Sequence, residues 1–484
     1  MKLLRLLLPE GDIRRWHLRL REKLQQAGFA VEIDLAPGAS PPPALWLCEE
    51  LERLIYGARG GGVCEQAEAV AGVSDRPAIL IDLTGADQPR DGAITLLYDG
   101  APGDAARDAA LLDGRAPRIA FARVASGDLQ IVADGLPALE RPWMLSAGRV
   151  AVAQRILALA PMALKNAIGG AGVHVRVEAS RRNPLAFVAG ALLSRARARL
   201  ARMIAHPDHW RIGWRRLNAD GGVMARQAWG RGDWTWLADD RQRYFADPFP
   251  FAHEGRLCLF CEEYPYATRK GVISVAAIDE AGRAETPRVV LEADCHLSYP
   301  LVFEQDGEIW MMPESSGGRR LDLYRAERFP DRWVRERTLV DGLEISDATP
   351  FPAQGRWWMT ANVSEEGGSS WDCLSLFTAP DRLGPWTRCG DGPVLVDASC
   401  ARPAGHVQTI GGGLWRPAQD CVGGYGAGLA LCRIDHVGED GFRQTVTQRL
   451  RPPPGAPADG VHTLNIGGGY EFIDAVGRQA KGAA

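Results

Sequence analysis

The chain has 484 residues, of which 46% are hydrophobic and 24% are charged, and its formal net charge is −4 at pH 7. This length exceeds what one hydrophobic core usually serves, so we expect two or three domains of ordinary globular composition. The slight acidity excludes the strongly basic surface of a dedicated nucleic-acid binder, so no nucleic acid is expected among the partners.

The ten cysteines and the N-terminus bear on location and on metals. Cys258 and Cys261 form a CxxC pair, but no second pair follows at zinc-ribbon spacing, and on a strand the two side chains would face opposite ways. Reduced thiols are typical of the cytosol. The N-terminal apolar run is interrupted by Arg5, ends at Pro9 and is followed by no signal-peptide cleavage site. These features predict a cytoplasmic protein without a bound metal or cofactor.

Residues 1–145 are predicted to form an α/β domain. Apolar strands are expected at Leu3–Leu8 and Phe29–Ile33, with a helix over Asp12–Gly28 between them. This order indicates a Rossmann-like unit. The glycines at 60–62 neither follow a strand nor form GxGxxG, so no dinucleotide site is predicted. The pattern resembles a degenerate formyltransferase-like domain that lacks the Asn-x-His and Asp of active enzymes, so the resemblance implies no activity.

Residues 146–208 are predicted to be a helical linker. Its segment 185–205 has an apolar first half, followed by four arginines: Arg195, Arg197, Arg199 and Arg202. One interpretation is a helix whose apolar face packs on a neighbouring domain. The other is a peripheral contact with an anionic membrane. The first is favoured because apolar and basic residues separate along the helix and not around it.

A hairpin repeats through the second half of the chain. Alignment of three turn glycines places polar or aromatic residues at one common position eight residues earlier. The glycines are Gly255, Gly307 and Gly355, and the preceding residues are Asp247, Tyr299 and Asp347. Two further strands follow each hairpin, and copies recur at a spacing of about 50 residues. Four strands at this spacing predict the blades of a β-propeller.

Five blades are expected over residues 209–476. The last copy lacks two strands, and residues 210–238 supply two that are otherwise unassigned, so these are predicted to join 461–475 and close the ring. Closure also removes the free sheet edges. The fold class is therefore an N-terminal α/β domain followed by an all-β five-bladed propeller. Residues 477–484 are predicted to be a disordered tail.

Carboxylates are predicted to gather at one mouth of the propeller channel, which the innermost strands line. Two carboxyl groups on opposite sides of a glycosidic bond are what its cleavage requires. Asp247 is the candidate base or nucleophile, Glu314 the candidate proton-donating acid, and Asp347 would orient or tune them. The alternative for Asp247 is a local role in an Asp-Pro turn.

A further set of residues is predicted to contact the substrate. It comprises Glu262, Tyr299, Arg402, His406, Gln419, Asp420, Tyr425 and His462. Because Glu262 and Glu263 are adjacent on a strand, one of them must face away from the channel. The two histidines lack the close spacing of metal ligands. A contact with a sugar hydroxyl or phosphate, or a structural bond to a backbone carbonyl, both remain open for them.

Several motifs in this region carry a family resemblance. YFADPF, HLSYPLVFEQDGEIWMMPES, RPAQDCVGGYG and HTLN resemble the propeller domain at the N-terminal end of plant glucosamine inositolphosphorylceramide transferases and its bacterial relatives, over about 210–474. The ADP start and the GPW turn are also similar to the five-bladed propellers of glycoside hydrolase families 43 and 32. That similarity implies a base or nucleophile at Asp247 and a tuning role at Asp347. In the plant proteins a separate C-terminal domain carries the transferase activity, so the likeness implies the propeller and not that chemistry.

Two functions are consistent with the sequence. The first is a carbohydrate-active enzyme that hydrolyses or transfers a glycosyl unit in surface-polysaccharide or glycolipid metabolism. The alternative is a non-catalytic module that binds a glycan or nucleotide-sugar within a biosynthetic complex. Both predict a glycan, a glycolipid or a nucleotide-sugar as the partner.

Overall fold

The computed structural model describes residues 2–38, 43–56, 62–125, 128–169, 205–456 and 458–480, together with scattered positions between 187 and 203. The chain divides into two compact units. The first is Met1–Arg197 with Glu365–Ser369, and the second is Ala198–Ser364 with Ser370–Ala484. The first unit is α/β and the second is an all-β propeller of five sheets, so the predicted fold class is confirmed.

The first unit is built on a mixed sheet. Its strands are β1 (Leu3–Pro9), β2 (Ala30–Ala36), β3 (Ile79–Asp82), β4 (Ile94–Tyr98), β5 (Ala101–Pro102), β6 (Ile119–Ala125) and β7 (Asp128–Gly135). The order is β2-β1-β3-β4-β6-β7, with β5 beside β4. Strands β1 to β4 run parallel, whereas β6 and β7 are antiparallel additions. The helices are α1 (Arg15–Gln26), α2 (Pro43–Tyr56), α3 (Asp104–Leu112) and α4 (Leu145–Gly169).

Helix α4 lies in the core of the first unit, although the sequence places it in a linker. Val152, Leu157 and Leu164 are at most 1% exposed, and the helix packs on β6 and β7. By length and composition Leu145–Ala167 could cross a membrane, but 61% of its most apolar window is buried. These properties are those of a core helix. The predicted membrane-contact segment 185–205 lies largely outside the described residues.

The second unit has one four-stranded sheet per blade, with one extra strand in blade 3. Blade 1 is β10 (Arg243–His253), β11 (Arg256–Pro265), β12 (Val272–Ile278) and β13 (Arg288–Leu291). Blade 2 is β14 (Ser298–Gln305), β15 (Glu308–Glu314), β16 (Arg320–Arg328) and β17 (Arg332–Asp341). Blade 3 is β18 (Ile345–Ala353), β19 (Arg356–Val363), β20 (Cys373–Ala379) and β21 (Thr387–Arg388), and β22 (Leu395–Val396) pairs with β20.

Blades 4 and 5 complete the ring. Blade 4 is β23 (Gln408–Ile410), β24 (Gly413–Asp420), β25 (Gly428–Gly438) and β26 (Gly441–Leu450). Blade 5 joins β27 (Leu464–Gly467) and β28 (Tyr470–Ala480) to β8 (Ala205–Arg216) and β9 (Thr235–Trp236), and the short helix α5 (Val223–Arg226) lies between β8 and β9. Strand β28 pairs with β8 along most of its length, so the last strands of the unit are tied to its first.

Apolar side chains fill the space between successive blades. Phe472 of blade 5 packs with Phe245 of blade 1, and Trp358 of blade 3 packs with Phe442 of blade 4. Blades 1 to 3 share one larger cluster that includes Phe260. Full burial of each such side chain stabilises the fold by roughly 1.5–3 kcal/mol. The ring is therefore held by its interfaces as well as by strand pairing.

The inner strands of blades 1, 2 and 3 share one backbone irregularity. Their register shifts between Ala246 and Phe249 and at the two equivalent places. The residue at each shift has a positive φ: 51° at Asp247, 46° at Tyr299 and 52° at Asp347. A non-glycine residue in this region costs roughly 1–3 kcal/mol, and a bulge of this kind re-aims a side chain. The three positions aligned from the sequence are thus three equivalent bulges.

Replacing Gly405 with alanine is expected to destabilise the propeller by roughly 3 kcal/mol or more. Gly405 has a φ of +134°, and a Cβ there would lie 2.2 Å from the carbonyl oxygen of Leu464 in the next blade. Urea denaturation followed by tryptophan fluorescence would measure the change, since twelve of the fifteen tryptophans fall in 210–415. Gly392→Ala is the matched control because nothing lies within 4 Å of its added Cβ. Equal stability of both variants would contradict the prediction.

Candidate functional site

Buried charged and polar side chains from all five blades meet at the level of the bulges. The central cluster, as we call it, consists of Asp247, Glu314, Asp347, Arg402, Gln419, His462 and Asp474, and every member is at most 8% exposed. Burial of this many ionisable groups is costly unless each is paired or hydrogen-bonded. The contacts made by each member therefore indicate its role.

Both carboxylate oxygens of Asp247 are occupied. Oδ1 accepts a hydrogen bond from Thr463 Oγ1 at 2.9 Å and lies 3.5 Å from His462 Nε2. Oδ2 accepts the backbone N–H of Tyr299 at 3.1 Å. Burial raises the pKa of Asp247 to about 7, and Asp474 and Glu262 add to the rise while His462 opposes it. Asp247 therefore changes its protonation close to neutral pH.

Asp474 fixes the blade 5 side of the cluster. Its Oδ1 lies 2.7 Å from His462 Nδ1 and accepts the N–H groups of His462 at 3.2 Å and Thr463 at 2.9 Å. Its Oδ2 accepts the N–H of Asp247 at 2.9 Å. Sequence reasoning missed this residue. The signal in the sequence was the acid that ends YEFID in the last, truncated copy of the hairpin.

His462 is held between two carboxylates. Burial lowers its pKa, but Asp474 and then Asp247 outweigh this effect and raise the pKa of His462 to about 9. The ring also stacks on Trp210 at a centroid distance of 3.9 Å. The imidazolium is therefore favoured at neutral pH, where it stabilises the ionised form of Asp247.

The Asp247, His462 and Asp474 trio also has the spacing of a metal site, since one ligand atom from each lies within 4.8 Å of the others. Asp474, however, already accepts three backbone N–H groups and contacts His462. A carboxylate saturated in this way has little capacity left for a cation. The donor set fits an internal hydrogen-bonded relay better than a metal cage, and the absence of a metal stays a prediction.

Arg402 bridges the carboxylates of blades 2 and 3. Its Nε lies 2.6 Å from Asp347 Oδ2, and its Nη2 lies 3.6 Å from Glu314 Oε2. Glu314 also accepts the N–H of Asp347 at 3.2 Å and the hydroxyl of Ser316 at 2.6 Å. Burial works against ionisation of Glu314, but Arg402 and these donors hold its pKa below the ordinary value. Glu314 is therefore ionised at neutral pH, whereas a general acid must carry a proton there.

Asp347 is the second carboxyl group with a raised pKa. Burial is the main cause, Glu314 and Asp247 add to the rise, and Arg402 opposes it. Gln419 Nε2 donates to Asp347 Oδ2 at 3.1 Å and to the carbonyl of Pro403 at 3.2 Å. The cluster thus contains two carboxyl groups that favour the protonated form more than usual and one that favours it less.

Tyr299 of blade 2 links three other parts of the propeller. Its hydroxyl accepts the N–H of Gly405, in the chain segment leading into blade 4, at 2.7 Å and lies 2.9 Å from Thr349 Oγ1 of blade 3. Phe249 of blade 1 meets the Tyr299 ring edge-on at 4.6 Å. Because its hydroxyl is hydrogen-bonded within the fold, Tyr299 has a structural role at the site.

His406 packs on Phe249, as Tyr299 does, and is not a member of the cluster. Its Nδ1 lies 2.9 Å from Asn465 Oδ1. Burial lowers the pKa of His406 to about 4. The ring is therefore neutral and held within the fold, by a side-chain amide oxygen and not by the backbone carbonyl of the structural alternative.

The two adjacent glutamates of blade 1 point in different directions, as strand geometry requires. Glu263 pairs with Arg243 and accepts the hydroxyl of Ser274 at 2.6 Å. Glu262 lies 3.1 Å from His296 Nε2. The His296 side chain is 40% exposed, against 6% for Asp247, so this pair marks the open edge of the site. His296 is the first residue of the motif HLSYPLVFEQDGEIWMMPES, but it was not among the predicted site residues.

An aromatic group lies beside the cluster. Tyr425 is partly exposed, with its ring centroid 5.6 Å from that of Trp371 and 6.1 Å from that of Trp210. The guanidinium carbon of Arg402 lies 5.1 Å from the Tyr425 ring. Aromatic faces next to polar groups suit the apolar faces of a sugar ring. Tyr425 therefore lies beside the cluster, and its contact with a ligand stays a prediction.

Asp420 lies apart from the cluster. Its Oδ1 accepts the N–H of Val422 at 3.2 Å, and its Oδ2 lies 3.7 Å from Arg449 and 3.8 Å from Arg451. Gln419 and Asp420 are adjacent on a strand, so only one of them can face the channel. The structure gives that position to Gln419.

Residues 238–451 match the family model described as glucosamine inositolphosphorylceramide transferase 1, N-terminal. The chain is 34% identical over 205 residues to glucosamine inositolphosphorylceramide transferase 1 of Oryza sativa subsp. japonica, which is 42% of this chain and 27% of the rice protein. The protein of the same name from Arabidopsis thaliana is 30% identical over 205 residues, with the same coverage. The chain thus spans about a quarter of the length of the curated relatives it matches. These matches confirm the resemblance that the propeller motifs predicted.

Solved structures similar to this chain include carbohydrate enzymes. RS223-β-xylosidase is 12% identical, with a TM-score of 0.37, over 49% of this chain and 93% of that one. Zg3597, a family 117 glycoside hydrolase of Zobellia galactanivorans, is 11% identical, with a TM-score of 0.35, over 55% of this chain and 91% of that one. The formyltransferase-like character of the first unit stays a prediction.

Proposed function

We propose that the propeller is a carbohydrate-active domain that hydrolyses or transfers a glycosyl unit of a glycolipid or surface polysaccharide in the cytoplasm. The observation that carries this proposal is the set of buried carboxyl groups at the channel whose surroundings move their pKa values in opposite directions. Such divergence is how a site assigns base and acid roles to similar side chains. The match of residues 238–451 to a domain of glycolipid-synthesising proteins supports the substrate class.

Asp247 is the base or nucleophile in this proposal. When ionised it is stabilised by His462 and held in place by Thr463 and by the N–H of Tyr299. Asp347 supplies the proton, because burial raises its pKa. This moves the acid role from Glu314, which remains an anion that orients Arg402. The aromatic rings beside Arg402 would hold the sugar.

Turnover of the full chain on a panel of glycolipids, oligosaccharides and nucleotide-sugars tests the proposal. Product release by the wild type should be retained in Asp420→Asn, because Asp420 faces Arg449 and Arg451 and not the channel. It should be lost in Asp347→Asn, which cannot donate the proton. Equal activity of the Asp347 and Asp420 variants would exclude the assignment.

The pH profile of kcat/KM is expected to be bell-shaped, with its maximum between about pH 7 and about pH 9. The rising limb follows ionisation of Asp247, whose pKa is about 7. The falling limb follows loss of the proton from His462, whose pKa is about 9, because neutral histidine no longer stabilises the Asp247 anion. A rate that is constant from pH 5 to pH 10 on any turned-over substrate would contradict this assignment.

The second candidate function is a binding module that presents a glycan or nucleotide-sugar to a biosynthetic partner. It is favoured by one observation: the Asp247 side chain is only 6% exposed, with both oxygens already hydrogen-bonded. In that case Tyr425→Ala would abolish glycan binding, while the wild type turns over nothing on the same panel. Calorimetry beside the turnover assay separates the two functions.

A further inference from the structure

The first unit contains a cavity of about 260 Å³ that the propeller chemistry does not involve. Its wall includes Pro9 at the end of β1 and Leu83 immediately after β3. Strands β2 and β3 lie on opposite sides of β1. The strand order therefore reverses at β1. Ligands of open α/β sheets bind at such switch points, beyond the carboxyl ends of the strands.

A buried histidine without a full set of partners faces this cavity. His17 is 2% exposed, and its Nδ1 accepts the N–H of Arg14 at 2.9 Å. A neutral ring that accepts through Nδ1 carries its proton on Nε2. Among the described residues, His17 Nε2 has no hydrogen-bond partner. A buried donor left unpaired costs about 1–3 kcal/mol of stability. A hydrogen-bond acceptor bound in the cavity would remove this cost.

The surroundings of His17 favour a negative charge on that acceptor. Burial, together with the positive charges of Arg14 and Arg107, lowers the pKa of His17 to about 3. Helix α3 begins at Asp104 without a side-chain cap, and Gly103 and Asp104 at its start also line the cavity. The first N–H groups of a helix bind anions. The Nε2–H of His17, unpaired within the described part of the chain, and the start of helix α3 thus face the same space.

The acidic residues of the wall are already paired. Asp108 lies 2.9 Å from Arg107 and 2.7 Å from Arg149. Asp104 lies 3.0 Å from Arg107, and Asp12 lies 2.5 Å from Arg14. The other three acids of the wall, Glu49, Glu50 and Asp82, are paired with Arg149, Arg53 and Arg90. An incoming anion therefore meets carboxylates that each have an arginine partner. His17 is the donor that this network leaves unused.

We propose that this cavity binds a compact metabolite through a carboxylate or phosphate oxygen that accepts a hydrogen bond from His17 Nε2. Trp16 and Tyr98 form the adjoining aromatic wall and would contact the rest of the ligand. The volume lies just below the usual range of about 300–1,000 Å³ for ligand pockets, so the ligand is small. The first unit is then a sensor or carrier domain, and its role does not depend on the propeller.

Calorimetric titration of the full chain with inorganic phosphate and, separately, with acetate at constant ionic strength tests the proposal. Saturable binding of phosphate or acetate is expected, and the stronger of the two identifies the anion class. His17→Asn keeps an acceptor for the N–H of Arg14 but removes the donor at the Nε2 position. It should weaken binding by about tenfold or more, the value of a hydrogen bond to a charged group.

His17→Gln is the matched control. Its amide nitrogen can reach the position of Nε2, so binding should stay within about threefold of the wild type. Circular dichroism of both variants shows whether the unit is folded. If neither anion binds the wild type saturably, the cavity holds water only and the proposal is wrong. Equal binding by the wild type and the asparagine variant would also overturn it.

Discussion

Asp247→Asn is expected to make the protein more stable at pH 7.5 while it lowers turnover by about 10²–10⁴-fold. Asparagine is nearly isosteric, so it can still accept the N–H of Tyr299, and the Thr463 hydroxyl can reverse its hydrogen bond. It cannot accept a proton or attack as an anion. The same change should therefore move stability and activity in opposite directions.

The sign of the stability effect follows from the raised pKa. Folding raises the pKa of Asp247 from 3.8 to about 7, so the folded state binds more protons than the unfolded chain between these values. The contribution of Asp247 to the stability of the wild type therefore falls as pH rises from about 4 to about 7. A shift of about three pKa units corresponds to at most about 4 kcal/mol. This cost disappears when the carboxyl group is replaced by an amide.

Urea denaturation at pH 4.5 and pH 7.5 measures the effect. The gain from Asp247→Asn should be small at pH 4.5 and should reach several kcal/mol at pH 7.5, with about 4 kcal/mol as the upper limit. Asp420→Asn serves as the control, because its surroundings include two arginines within 4 Å. Destabilisation by the Asp247 change at pH 7.5 would show that the anion, and not the neutral acid, is the form the fold prefers.

Arg402→Met is expected to destabilise the propeller by about 3–5 kcal/mol. Methionine fills much of the space but leaves the buried carboxylate of Glu314 without its cation and removes the hydrogen bond that Arg402 Nε makes to Asp347. Removal of one partner from a buried ion pair costs more than the pair itself contributes, because the remaining charge stays desolvated. The double variant with Glu314→Gln should recover part of the loss, since the unpaired charge is then removed.

Denaturation of these variants at pH 7.5 is the measurement, with Arg449→Met as the control. Arg449 is 46% exposed and lies 3.7 Å from Asp420, so its loss should cost less than about 1 kcal/mol. A change below 1 kcal/mol for Arg402→Met would show that Glu314 is protonated once the guanidinium is absent. A double variant less stable than Arg402→Met would contradict the charge argument.

The repeat made most of the propeller predictable. A period of about 50 residues copies backbone geometry, so Asp247, Tyr299 and Asp347 align in the sequence, and all three lie at equivalent bulges. The roles of individual members were harder to predict. Tyr299 shares its position with two aspartates, but its hydroxyl is used up by Gly405 and Thr349. Alignment of the repeats predicts where a residue lies, whereas its chemical role depends on the side chains that neighbouring blades place around it.

The contacts that tune the site join residues far apart in the chain. Asp474 accepts the N–H of Asp247 although 227 positions separate them, and Arg402 lies 55 positions from Asp347. No local pattern encodes such pairs, so the sequence could not show that Glu314 would be held ionised. Helix α4 was assigned to a linker for a related reason. It is apolar on most sides, which is typical of a buried helix but gives no amphipathic stripe to recognise.

The make-up of blade 5 has a consequence for synthesis of the protein. Strand β8 ends at Arg216 and its partner β28 begins at Tyr470, 254 positions later. At a synthesis rate of roughly 5–20 residues per second, about 13–50 s pass between synthesis of β8 and synthesis of its partner β28. An unpaired strand is a template for wrong pairing during that interval. Ring closure leaves no free strand edge in the finished fold, but it leaves β8 open to wrong pairing during synthesis. The nascent chain can complete blades 1 to 4 but cannot close the ring until β28 has been made.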